Sequence, residues 1–222
     1  MLWYYKNKQS YLYPSHENYI NELTELTRKK HYENSQEDSI VPSINFMYSH
    51  NITNAACIVP IEDLTVNYGR ANDIDINFCQ NNNIPTFFIN RGGGAIVLFP
   101  GNIAIDAIYT GTSYQIVFDF LSAFKQFLRT KNIESNIDGN DLIINNKKVI
   151  GVIGEVLPKP FLGLTYIGIS ISINANAELI NNICTKPMEK VPGALSDYGI
   201  TTEEVMNWLL EWFDAHRYIE NE

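Results

Sequence analysis

The sequence is short of the residues from which metal centres and disulfide frameworks are built. Its 222 residues hold three cysteines, Cys57, Cys79 and Cys184, and no C-x-x-C pair. An odd count in that arrangement gives no disulfide framework and points to a reducing compartment. The four histidines, His16, His31, His50 and His216, have no ligand spacing to one another or to a cysteine, so there is no zinc signature. Positive charge is scarce too: 16 Lys and Arg against 25 Asp and Glu give a net charge of −9. That excludes the overall basic footprint of a nucleic-acid-binding domain. No apolar run reaches the roughly 18 residues of a membrane span. The start, "MLWYYKNKQSYLYP", lacks the apolar core and small-residue cleavage site of a secretory signal. The expectation is a cytoplasmic protein with no nucleic-acid and no membrane partner.

What is there is enough for a substantial core. Hydrophobic residues make up 45% of the chain and aromatics 12%, which argues against disorder. The length fits one large domain or one domain with a small annex, and the expectation is a single domain over residues 1–222. Residues 15–30 carry Tyr19, Ile20, Leu23 and Leu26 at helical spacing. "INFMYSH" (44–50) and "ACIVP" (56–60) read as short strands, and Asp73 is placed to cap a helix in "DIDINFCQNN". "IPTFFIN" and "AIVLF" are β-branched and aromatic and read as strands. "IVFDFLSAFKQFLRTK" is a helix with an apolar stripe of Phe120, Leu121, Phe124, Phe127 and Leu128. A hairpin turning at Asn145-Asn146 follows, then the strand "LTYIGISISINAN" and a closing helix over 202–217. Strands and helices do not alternate regularly, so the fold class is α+β, with mixed, largely antiparallel sheets flanked by helices.

Three glycines in a row, Gly92, Gly93 and Gly94, lie between two strands directly behind Arg91. Glycines there lose much backbone freedom on folding, yet they let a ligand lie against bare backbone. Their N–H groups suit an anion, and a guanidinium fork beside them suits phosphate or carboxylate. A solvated arginine on a flexible turn is the plainer reading of those four residues alone. A second Gly-Arg, Gly69-Arg70, ends another strand-like run. Asn140-Asp141 and Lys148 belong to the later hairpin, and strand alternation puts Lys148 on the face of Ile150 and Val152. Cys184 is the one cysteine near lysines, and a nucleophilic role would require Lys186 or Lys148 to lower its pKa.

The order and spacing of these motifs resemble the biotin/lipoate protein ligase superfamily, and lipoate–protein ligase A most closely, over about residues 44–200. The matching residues are Gly69-Arg70, Arg91 with Gly92-Gly93-Gly94, Ala95, Gly101-Asn102, Asn140-Asp141, Lys148-Val149-Ile150-Gly151 and the Asn174-x-Asn176 strand end. "KPMEKVPGAL" (186–195) is similar to a segment near the end of the ligase catalytic domain. The resemblance implies ATP-dependent activation of lipoate or octanoate to an acyl-adenylate, and transfer to a lysine of a lipoyl-type domain in a dehydrogenase complex or a glycine-cleavage carrier protein. It implies Lys148 as the catalytic residue. It implies adenylate and substrate contacts from Arg91, Gly92, Gly93, Gly94, Ala95, Asn102, Asn140, Asp141, Gly151 and Arg70, and Mg²⁺ at Asp141. The chain departs from the family where His-Asp is usual, with Leu98-Phe99 instead. Three alternatives stay open: an ATP-independent transferase using Cys184, a biotin–protein ligase, and a non-catalytic member.

Overall fold

Ala55–Pro60, Ile103–Thr110 and Leu164–Ile171 are rich in apolar residues and buried at most positions. That is the pattern of strands covered on both faces. A computed structural model of the chain describes residues 2–6, 9–13, 20–32, 46, 49–50, 54–71, 73–89, 94–111, 115–157 and 163–215. The three runs are β3, β7 and β11, the middle of an eight-stranded sheet. Around them lie β1 (Leu2–Lys6), β2 (Gln9–Tyr13), β8 (Asn136–Asp138), β9 (Asp141–Ile144) and β10 (Lys147–Val156), in the order β2-β1-β3-β7-β11-β10-β9-β8. Every pairing is antiparallel except β1 with β3. A smaller sheet has β4 (Thr65–Tyr68) between β5 (Thr86–Phe88) and β6 (Ile96–Leu98). The architecture is the expected α+β one.

Alternation sorts the strand residues into two cores. Ile103, Ile105, Ala107, Ile167, Ile169, Ile171, Ile150 and Val152 face helices α3 (Gln115–Thr130) and α5 (Thr202–Ala215). Phe120, Leu121, Phe124 and Leu128 of the expected stripe are buried there, with Phe127 packed partly against them. Phe120 meets Trp212 edge-on at 5.2 Å between centroids, a favoured aromatic geometry. The opposite face carries Ala55, Cys57, Val59, Ala104, Ile108 and Tyr166, and against it sit Leu23 of α1 (Ile20–Tyr32) and Leu98 and Ile96 of the small sheet. The far side of the small sheet packs on α2 (Ile76–Asn81) and α4 (Ala177–Ile183) through Val66, Ile74, Cys79 and Ile183.

The structure corrects three local expectations. Phe46 and Ser49 are helical rather than extended, and the His50 N–H donates to the Phe46 carbonyl at 3.1 Å, a helical turn. The cap of α2 is Asp75, whose side chain accepts from the Phe78 N–H; Asp73 instead pairs with Lys186 at 2.6 Å. The third concerns Lys148. The β9–β10 register shifts between Lys148 and Ile150. A bulge of one residue exchanges the faces of everything before it relative to everything after. Ile150 and Val152 therefore point to the helix side, while the Lys148 side chain lies over Gly151 on the other. The expected hairpin turn is present, with Asn145 and Asn146 at φ 49 and 63, the signature of a primed turn.

Candidate active site

Between the two sheets lies a cavity of about 320 Å³, lined from β4, β6, β7, β10 and β11 and from the segment after α4. Its room comes from missing side chains. A Cβ on Gly151 would come within 2.6 Å of Lys148 Cε and 2.8 Å of its Nζ. A Cβ on Gly168 would come within 2.7 Å of Tyr166 Oη. The two glycines give a lysine and a tyrosine room to lie back along the sheet, inside the cavity rather than across it.

The charged end of the cavity is built on the β8–β9–β10 hairpins. Lys148 Nζ sits 2.8 Å from Asp141 Oδ1. The other Asp141 oxygen takes Lys190 Nζ at 2.9 Å, and the same ammonium reaches Asp138 Oδ2 at 2.8 Å and the Asp138 carbonyl at 3.1 Å. The Asp138 hydrogen bond first, and the Asp141 bond next, hold Lys190 well above the ordinary lysine range. Asp141 is thus a bracket between two ammonium groups. This arrangement does not fit Mg²⁺ at Asp141, because both of its oxygens are already taken by cations. Among the described residues no group of three or more His, Cys, Asp or Glu could hold a metal ion.

Gly94, Ala95, Gly151, Lys148 and Gly69 line the cavity, as do Leu98 and Phe99. Arg91, Gly92 and Gly93 lie outside the described residues. β5 and β6 each pair with β4 and not with each other, so the glycine segment does not join a two-stranded hairpin. Asn102 is fully inside the protein and does not line the cavity: its Oδ1 accepts the Asn174 N–H at 2.7 Å. It acts as a joint that fixes Asn174, which does line the cavity. Asn140 is an exposed turn residue whose carbonyl accepts from Val152 N–H, and Arg70 is exposed after β4. Neither lines the cavity.

Cys184 does not line it either. Burial, and then the Asp73 carboxylate, push its thiol up, the opposite of what a nucleophile at neutral pH needs. Lys186, which was to lower it, is engaged by Asp73.

Lys190 is the residue the motifs did not single out. It reaches the site through backbone pairing. The Lys148 N–H donates to the Val191 carbonyl, and the Gly193 N–H to the Lys148 carbonyl, both at 2.8 Å. No local spacing announces a contact of this kind.

A family profile, "Lipoyl protein ligase A/B catalytic domain", matches residues 63–214. No curated protein sequence matches the chain. Among solved structures, lipoate-protein ligase A bound with ATP is similar with a TM-score of 0.62 at 17% identity, over 76% of this chain and 74% of that one. LipL1 of P. falciparum in complex with lipoate gives 0.61 at 16%, over 76% of this chain and 49% of that one, so the chain spans about half its length. A bi-partite lipoate protein ligase of Thermoplasma acidophilum, solved with its E2 lipoyl domain, gives 0.59 at 16%, over 76% and 73%. At these identities the likeness is one of fold.

Proposed function

Because the chain belongs to the lipoyl protein ligase A/B catalytic-domain family, we propose that it is a lipoate (or octanoate)–protein ligase. In the first step the acid's carboxylate attacks the α-phosphate of ATP and pyrophosphate leaves. In the second, the amine of a lysine on a lipoyl-type acceptor domain attacks the acyl-adenylate and AMP leaves. The acceptor is the kind found in dehydrogenase complexes or as a glycine-cleavage carrier protein. The reaction takes place in the cytoplasm. Negative charge grows on the α-phosphate and later on the carbonyl oxygen, so fixed donors aimed there carry the catalysis.

The observation that supports this most is the Lys148 ammonium, fixed in the cavity by Asp141 at 2.8 Å in a fold of this family. Lys148 donates to the carboxyl oxygen and the α-phosphate. Asp141 aims it, and Lys190 holds Asp141. Arg91 and the N–H groups of Gly92 to Gly94 bind the phosphate. The transferase reading is disfavoured by the raised Cys184 thiol. The biotin ligase reading is disfavoured by the lack of an arginine-rich Gly-Arg-Gly loop.

The test is pyrophosphate release from ATP in the presence of each acid, in wild type and Lys148→Ala. Removing one preorganised donor costs about 10²–10³ in rate. The reading requires acid-dependent pyrophosphate in the wild type and a loss of that order in a Lys148→Ala protein that still melts cooperatively. Acid binding with no pyrophosphate from the wild type would leave a non-catalytic binder.

A further inference from the structure

Along the large sheet the cavity stops at one side chain. The cavity face of β11 contributes Ser170, Gly168 and Tyr166 to the lining, but not Leu164. Glu155 and Ile108, the strand partners of Tyr166 on either side, do not line the cavity either. Ser170 pairs with Gly151, the glycine that Lys148 lies over, and Gly168 pairs with Ile153 one row further on. Residues two apart on a strand share a face. The face therefore runs from the lysine toward the tyrosine, and Tyr166 is its last lining residue among those described.

Side chains on a strand ordinarily stand up from the sheet. Tyr166 is buried and lies back over Gly168 instead, with Oη 2.7 Å and Cζ 3.3 Å from where a Cβ at 168 would be. Its hydroxyl donates to Asp106 Oδ1 at 2.6 Å, and Asp106 is the β7 residue paired directly with Gly168. The ring is thus held by its own backbone at one end and by that bond at the other. A buried tyrosine hydroxyl needs a partner. With Asp106 supplying it, the ring offers its apolar face to the space above. Ile96 and Leu98 of the small sheet line the same cavity from the opposite side.

We propose that the Tyr166 ring, tied down by Asp106, is the floor of the far end of the acyl chamber and sets the longest acid that the protein accepts. This rests on the ligase reading and deepens it at the end of the acid remote from the carboxylate. An acid held by its carboxylate at Lys148 extends along the cavity face of β11 and ends on the ring. Octanoate presents hydrocarbon there and lipoate presents sulfur, and both make favourable contact with an aromatic ring. A longer chain needs the volume that the ring fills. The floor can be moved in either direction. Replacing the ring by a small side chain deepens the chamber. A methyl at 168 has no room beneath the tyrosine, with Ile153 Cγ2 at 3.0 Å on its other side, and lifts the ring into the chamber.

The experiment measures kcat/KM in ATP–pyrophosphate exchange with hexanoate, octanoate, lipoate, decanoate and dodecanoate. A methylene that an apolar pocket cannot fit is worth about 10- to 200-fold. The wild type is therefore expected to prefer octanoate over decanoate by about tenfold or more. In Tyr166→Val, a residue suited to a strand, decanoate gains in absolute terms and that preference falls toward one. In Gly168→Ala the shift runs the other way, and octanoate loses about tenfold or more against hexanoate. A gain with the longer acid, and opposite shifts in the two variants, separate a specificity role from damage to the fold. Where Tyr166→Val does not melt cooperatively, Gly168→Ala decides alone. Equal use of dodecanoate and octanoate by the wild type, or an unchanged chain-length profile in the folded variants, overturns the floor; exchange that still depends on Lys148 then leaves the ligase reading standing. Exchange with none of the acids overturns both.

Discussion

Replacing Gly151 with alanine tests the lysine's position without touching the lysine. The new Cβ would stand 2.6 Å from Lys148 Cε and 2.8 Å from Nζ, where ordinary contact begins at 3.4 Å. The lysine end must then move by about 0.6–0.8 Å, the difference between those distances. The displaced atoms are the tip of a long, flexible side chain, so the strand need not move. Stability is expected to stay within about 1 kcal/mol of wild type, because Gly→Ala in allowed backbone also restricts the unfolded chain. The ammonium, however, leaves the place fixed by its 2.8 Å contact with Asp141. A misplacement near 1 Å costs up to about 10² in rate. Gly151→Ala should therefore lower kcat for acid-dependent pyrophosphate exchange by about 10- to 100-fold with an unchanged melting temperature. In the Lys148→Ala background it should do almost nothing further, since the two changes act on one group. Wild-type kcat in Gly151→Ala, or full additivity of the two, would refute the placement of Lys148 as the group that sets the rate.

Lys190→Met should reduce kcat with little change in KM for the acid, because it frees one oxygen of the carboxylate that aims Lys148; Lys190→Arg should restore part of the rate, and a Lys190→Met enzyme with wild-type kcat would remove Lys190 from the site. Cys184→Ser should keep exchange activity within about twofold. The Cys184 thiol, pushed up by burial and by Asp73, stays protonated at neutral pH, so iodoacetamide should label it slowly at pH 7.5 and faster as pH rises past the ordinary thiol value of about 8.5; fast neutral-pH labelling would contradict the raised thiol. Thr201 caps α5 in a reciprocal box, its Oγ1 accepting the Glu204 N–H at 3.2 Å while Glu204 Oε2 accepts the Thr201 N–H at 3.0 Å; Thr201→Ala should cost about 1 kcal/mol in denaturant unfolding and leave exchange unchanged.

The parts of this fold that were legible in the sequence are those in which one residue's chemistry decides its local conformation. β3, β7 and β11 show as apolar runs because both sheet faces are covered, and α3 shows as a stripe because only one of its faces is. Asn145-Asn146 marks its turn because asparagine tolerates positive φ. The errors arose where two candidates compete for one role. Asp73 and Asp75 both read as caps of α2; Asp75 directly precedes the first helical residue and takes the Phe78 N–H, while Asp73 pairs with Lys186, three residues past the end of α4. Likewise Asn102 reads as a ligand contact until Asn174 arrives to take its oxygen.

The active-site lysines carry this furthest. Strand alternation put Lys148 with Ile150 and Val152, and nothing in "NNKKVIG" announces the bulge that reverses it. The cause lies at the end of a neighbouring strand. β11 pairs with β10 only as far as Ile150 opposite Ile171. The Ser172 N–H still reaches the Val149 carbonyl at 2.8 Å, and from Lys148 on residues 191–193 take the neighbour's place, bridging Lys148 with Pro192. The register slips where the partner changes. That single irregularity has two consequences. It turns Lys148 onto the cavity face, and it brings in the segment whose preceding residue is Lys190. The two lysines that share the Asp141 carboxylate thus meet it at one break in strand pairing.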